Sequence, residues 1–407
     1  MTIEFRRAFV GAIALSVVAL GSIGPSALRA QAAPICSTER SSNGELSFSG
    51  APSAELEQAA NFVEQFNDQS DRGVVGSRFC TDYSGLEVFV GPKVDDSVLR
   101  AISTYRTTHS NMGVEVVHVD RSPGDLRGEI QAILLSDPSG SVYQSLEPDI
   151  STGLIRARIA VNGVHKSATP ASVVVEPVSY SGGEHSSRNS DVSPYKAGAK
   201  ISADGYICSL GPRVHNGSHI MILTAGHCPG VKHFTGDDER EVGVQYTNAY
   251  ANDASRFGDW KLLTGYSYGT SYFNGAAGSS STYPGAGINW GTRTIGSKVC
   301  SSGAVGGQIC HFHVSSVNES VFMEGKWVGH QTQVISDNMA TSNPADCDGW
   351  VGGDSGGPIV HNNGSGAVVY DGLVQGVTWW YAGSQKRCHY WYTQMGAVRA
   401  WAPGATW

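Results

Sequence analysis

No Cys-x-x-Cys pair occurs in the 407 residues, which excludes the thiol spacing of a zinc ribbon or a thioredoxin-type redox centre. Runs of basic charge are missing too. Residues 195–407 carry 13 Lys and Arg against 14 Asp and Glu, so they offer no positive face for nucleic acid, and the acidity behind the formal charge of −8 belongs to the N-terminal half. After residue 195 there is no long helical period apart from a short closing stretch, Tyr392 to Trp401, which argues against a helical bundle. No internal repeat is evident, so a solenoid or propeller is not indicated. His311-x-His313 sets two imidazoles on one face of a strand, but a third ligand is lacking, and neither a metal nor a cofactor is expected.

What the chain does have begins at its N-terminus. Arg6 and Arg7, an apolar stretch from Ala8 to Ile23, and the small-x-small triplet Ala30-Gln31-Ala32 form a secretory signal peptide over residues 1–33. A membrane span is the weaker reading, because the stretch is short, contains Gly and Ser, and runs into Pro25. Ile35 stands before Cys36 where a lipoprotein signal wants Gly or Ala, so no membrane anchor is expected. An even count of eight cysteines in an exported chain points to disulfides and an extracellular location.

Apolar residues make up 40% of the chain, enough for a sizeable core and more than one folding unit. Residues 34–190 read as a small α/β region with its linker: helical periodicity at Glu55–Phe66, Asp95–Thr107 and Leu126–Leu135, and strands at Leu86–Val90, Val114–Val119, Leu154–Ala160 and Ala171–Val178. The polar stretch from Ser181 to Asp191 has almost nothing to bury and reads as an exposed, cleavable linker. From 191 to 407 the pattern becomes short β-type runs parted by Gly, Ser, Asn and Pro, such as Ile220–Leu223, Gly243–Tyr246 and Ala367–Tyr370, which suits an all-β barrel or sandwich.

Two segments carry chemistry. In Gly353-Asp354-Ser355-Gly356-Gly357-Pro358, glycines let the chain turn sharply around a serine and let a substrate carbonyl approach backbone N–H groups. A serine hydroxyl is a weak nucleophile at neutral pH, so it requires a base and a pocket of donors for the oxyanion that attack creates. In Leu223-Thr224-Ala225-Gly226-His227-Cys228, an apolar strand ends in small residues that present one imidazole, the side chain suited to general-base work near neutrality.

Together, and in this order, these segments resemble the trypsin/chymotrypsin family, most closely its bacterial streptogrisin and α-lytic protease branch, over roughly residues 200–405. The resemblance implies an all-β double β-barrel protease domain preceded by a small α/β pro region. It implies His227 as general base, Ser355 as nucleophile, and the N–H groups of Gly353 and Ser355 as oxyanion hole. Asp354 is expected to support the loop through a cation that the sequence does not single out. Gly258-Asp259-Trp260-Lys261-Leu262-Leu263 resembles the family's buried acid strand and makes Asp259 the third catalytic residue, with Asp253 as its competitor. Lys261 stands where a small residue is usual and is expected to snorkel. The implied disulfides are Cys208–Cys228, Cys300–Cys310 and Cys347–Cys388, leaving Cys36 and Cys80 for the N-terminal region. The family's primary pocket would be walled by Pro344–Trp350 and by Gly376–Tyr381, which puts Asp346, Thr378, Trp379 and Trp380 among candidate substrate contacts, with a lean toward a restricted pocket.

The expected function is a secreted serine endopeptidase, monomeric, acting on protein or peptide substrates through an acyl-enzyme and made as a precursor. Its partner before processing would be its own pro region, cut away between about Tyr180 and Lys200. A catalytically silent, protease-like binding protein or adhesin is the alternative. A serine hydrolase of the α/β class fails on chain order, because there the nucleophile precedes the acid and the histidine.

Overall fold

An N-terminal α/β layer comes first: α1 (Ala54–Glu64), β1 (Val74–Phe79), β2 (Gly85–Val90), α2 (Asp96–Thr108), β3 (Gly113–His118), α3 (Pro123–Ser136), β4 (Tyr143–Asp149) and β5 (Leu154–Ile159). The structure is a computed structural model; it describes Cys36, Leu46 and residues 48–66, 73–109, 113–136, 143–151, 154–159, 188–235, 239–250, 257–323, 325–337, 349–364, 366–382 and 385–407. The signal segment and the strand expected at Ala171–Val178 lie outside these residues. Helix α1 starts where the Ser53 hydroxyl accepts the Leu56 N–H at 3.1 Å, and it buries Leu56, Ala59, Ala60 and Val63, the spacing of one helical face. All three expected helices are present, with ends shifted by a few residues. Strands β1 and β4 were not expected. Strand β1 is buried throughout yet contains Arg78, which is acceptable because the guanidinium pairs with buried Glu87 on β2.

The first barrel uses β7 (Lys200–Ala203), β8 (Tyr206–Ser209), β9 (Arg213–Asn216), β10 (His219–Thr224), β11 (Lys232–Thr235), β12 (Glu241–Asn248) and β13 (Lys261–Thr264), following the short β6 (Tyr195–Ala197). Its sheet order runs β9-β10-β13-β12-β11-β7-β8. The sheet rolls up rather than lying open. Ile201 on β7 and Ile222 on β10 sit far apart in that order yet share one core, and the Gly211 N–H bonds Leu223 O at 2.7 Å to join the chain after β8 to β10.

The second barrel follows β14 (Tyr268–Phe273) and β15 (Thr282–Ile288). It is built from β16 (Lys298–Gly303), β17 (Gly307–Met323), β18 (Lys326–Ser336), β19 (Pro358–Asn362), β20 (Val368–Ala382) and β21 (Gln385–Gln394), and the chain ends with α4 (Met395–Trp401) and β22 (Ala405–Thr406). The order β19-β16-β17-β18-β21-β20 closes on itself because β19 also pairs with β20. The two barrels form the chymotrypsin-like fold. Ile35–Trp407 is a single compact unit in which the N-terminal layer packs on the second barrel. There, Val75, Phe89 and Leu126 share a core with Phe312, Val314 and Val374. Strand β4 pairs on one side with β5 and on the other with β17, where Leu146 faces Ser320 and Ser145 faces Val321.

The stretch expected to be an exposed linker differs at its far end. Arg188, Ser190 and Asp191 are buried, because their polar groups are taken up within the fold: the Asp191 carboxylate accepts from the Lys196 N–H at 2.7 Å and from Lys196 Nζ at 2.8 Å.

Candidate active site

His227 follows the end of β10, on the first barrel, and Ser355 precedes β19, on the second. Between them the backbones interlock. Ser209 N–H donates to Ser355 O at 2.8 Å, Thr224 Oγ1 donates to Ser209 O at 2.9 Å, and Cys228 Sγ lies 4.0 Å from Ser355 O. Gly356 has φ +86°, and a Cβ there would sit 2.5 Å from both Ser209 O and Thr224 Oγ1, so only glycine lets the serine turn come this close to the histidine loop. The Cys208–Cys228 disulfide pins that loop to β8. The Cys300–Cys310 and Cys36–Cys80 bonds are also formed, and Cys388 is disulfide-bonded, whereas Cys347 lies outside the described residues.

Asp259, immediately before β13, meets His227 twice. Its Oδ2 is 2.5 Å from His227 Nδ1, and its Oδ1 accepts the His227 backbone N–H at 2.8 Å. The carboxylate is 1% exposed, and the Asp259 N–H is held by Thr393 Oγ1 at 3.0 Å. An ionised acid that binds Nδ1–H fixes the tautomer that leaves Nε2 as the acceptor. Asp253 lies outside the described residues.

Lys261 does not snorkel. It is 1% exposed and donates to Cys228 O at 2.5 Å and Gly230 O at 3.0 Å, the two carbonyls that follow the histidine. Register explains this departure: Lys261 pairs with Thr224 across β10 and β13, so its side chain runs under the loop that the strand feeds. Burial pushes its pKa down to about 8, against the opposing pull of Asp259 and Asp204. His233 nearby is pushed to about 3, by burial first and by the Lys261 charge second, and is neutral.

Ser355 Oγ donates to Gln375 O on β20 at 3.3 Å. The amides of Gly353 and Ser355 make no hydrogen bond among the described residues, and Gly353 adopts φ +98°. Asp354, buried beneath them, accepts from the N–H groups of Val305, Gly306 and Val351 at 2.9, 2.8 and 3.1 Å. A Cβ at Gly303 would lie 2.2 Å from its carboxylate, which explains that glycine. Burial raises the Asp354 pKa, while those amides and Arg188 oppose the rise.

Asp346 lies outside the described residues, as do the side chains of Trp379 and Trp380, whose backbones pair with Cys388 and Arg387 respectively toward the far end of the β20–β21 hairpin. Thr378 accepts a hydrogen bond from Trp391 Nε1 at 2.8 Å. Tyr390, in the core beside this hairpin, links it to the chain ahead of Ser355. It pairs with Val377, two residues beyond Gln375, and its hydroxyl accepts the Gly349 N–H at 2.9 Å, so its ring spans from β21 to the chain leading into Ser355. Trp350 and Phe312 pack on it with ring centroids 5.4 and 5.1 Å away, and all three are buried.

No family model matches the chain, and no curated protein matches it. Solved structures do. A glutamic acid specific serine protease whose structure was described for a histidine triad in substrate binding is 20% identical, with TM-score 0.38, covering 52% of this chain and 98% of its own. Protease A of Thermobifida fusca is 21% identical with TM-score 0.38 (52% and 96%), and a chymotrypsin of Cellulomonas bogoriensis is 19% identical with TM-score 0.37 (52% and 96%). Scores this low do not transfer residue roles.

Proposed function

We propose that the chain is a secreted serine endopeptidase of the bacterial streptogrisin/α-lytic type, made as a precursor whose N-terminal layer is a removable pro region. The observation that carries this reading is the buried Asp259 carboxylate clamped to both the ring and the backbone N–H of His227, on a loop interlocked with the Ser355 turn. His227 takes the proton from Ser355 Oγ as the hydroxyl attacks the scissile carbonyl, and Asp259 stabilises the resulting imidazolium. The carbonyl oxygen becomes an anion facing the Gly353 and Ser355 amides. The proton then passes to the leaving amine, and water, deprotonated by the same imidazole, releases the acyl group. The hydroxyl's bond to Gln375 O breaks by rotation about a single side-chain torsion, and apo hydrogen bonds of this kind commonly realign when substrate arrives.

The aromatic run Trp379-Trp380-Tyr381 after Gly376 supports a restricted primary pocket. The signal-like sequence of residues 1–33 and the disulfides support export. The test is covalent labelling with a serine-directed organophosphate: a single adduct on Ser355 of the processed protein is expected. Processed protein that takes no label would favour the silent, binding-protein reading.

A further inference from the structure

Arg188 lies in the junction between the N-terminal layer and the first barrel, in a stretch with no hydrophobic pattern, and yet it is fully buried. Its backbone is fixed on both sides: its N–H donates to Ser279 O at 3.1 Å, and its carbonyl accepts from the Lys200 N–H at 2.7 Å. The guanidinium reaches Ser302 Oγ and Gly303 O, each at 2.7 Å, and also Phe273 O at 3.0 Å, Gly275 O at 3.2 Å and Gly198 O at 3.3 Å. A single cation thus gathers the end of β14, the end of β16 and the approach to β7.

The residues that follow Gly303 hold the serine loop. Ala304 N–H donates to Ser209 Oγ at 2.8 Å, and that hydroxyl donates to Gly353 O at 2.8 Å. Val305 and Gly306 N–H groups bind the Asp354 carboxylate. So the turn 303–306 is fastened by Arg188 on one side and fastens Gly353 and Asp354 on the other. We infer that Arg188 is a positioning residue of the serine loop, so that the active enzyme must retain it and maturation must cut on its N-terminal side. The inference rests on the protease reading and narrows it: of the window from Tyr180 to Lys200, the part beyond Arg188 is closed to the processing cut. Its charge persists at neutral pH, since burial lowers the guanidinium only to about 10.

The test uses the full chain, allowed to process. Intact mass should place the first residue of the labelled, processed protein at or before Arg188; a Ser355-labelled protein beginning after Arg188 overturns the inference. In Arg188→Met, the organophosphate labelling rate and kcat are expected to fall about a hundredfold, as for a small misplacement of reacting groups, with KM for a short peptide little changed. Guanidinium ion added to Arg188→Gly should restore part of the rate, which a merely structural loss would not allow. Amide exchange at Ala304, Val305 and Gly306 supplies a readout independent of activity. Faster exchange there in the variants is expected, and exchange and labelling both equal to wild type would sink the proposal. Wild-type protein that takes no label while these amides loosen in the variants would count against the protease reading alone.

Discussion

A lysine ammonium held out of water below the histidine loop has two uses for its protons here, the carbonyls of Cys228 and Gly230, and two electrostatic counterparts, Asp259 and Asp204. Its folded pKa of about 8 lies below the ordinary 10.5, so between those values the unfolded chain binds a proton that the folded chain has released. Stability therefore gains from this residue as pH rises through that window and loses as pH falls back through 8. Comparing denaturation midpoints at pH 8 and pH 10, the rise seen in wild type should exceed that in Lys261→Met; equal rises would show that the side chain titrates normally. The sequence singles out His227 and Ser355 through their small flanking residues, and the interlock of their two loops is what the structure adds. The burial of Lys261 was not legible, since a strand residue's setting depends on which face register turns inward.

Helices α1, α2 and α3 were readable because each repeats an apolar face at helical spacing over three turns. Strand β4 was not. Its sequence, Tyr143-Gln144-Ser145-Leu146-Glu147-Pro148-Asp149, has weak alternation, and it forms because β5 and β17 flank it. Long-range pairing of that kind has no local signature. Nor does the contact made by Glu64 at the end of α1 have one: it reaches the segment between β15 and β16 to bind Arg293 Nη1 at 3.0 Å and the Thr294 N–H at 2.7 Å. Arg293 is buried, and its nearest other carboxylate, Asp371, is 3.9 Å away and already engaged by His361. Removing one partner of such a pair leaves a charge without compensation. Glu64→Ala should cost the unprocessed chain on the order of 3 kcal/mol in denaturant-measured stability, and a change below about 0.5 kcal/mol would show that water or Asp371 replaces it.

Over the whole molecule, catalysis as proposed depends on joining residues from two barrels that the chain visits in the order His227, Asp259, Ser355. Ser355→Ala should lower turnover by at least about four orders of magnitude with folding intact, because the nucleophile, base and acid act as one unit. Circular dichroism and turnover on one peptide substrate suffice to check it, and activity near wild type would reassign the nucleophile. The order of the motifs made this architecture legible. The division of labour between the N-terminal layer and the barrels was less so, since composition separates 34–190 from 191–407 while the packed core runs across both.

The long strand β17 is flanked by β16 only as far as His313, and from Ser320 its same edge is occupied by β4. Departure of the N-terminal layer would bare the backbone donors and acceptors of that edge at Ser320 and Val321. A freshly matured molecule would then carry a vacant berth for any extended polypeptide, whether a loop of a neighbouring copy or the liberated segment itself on its return.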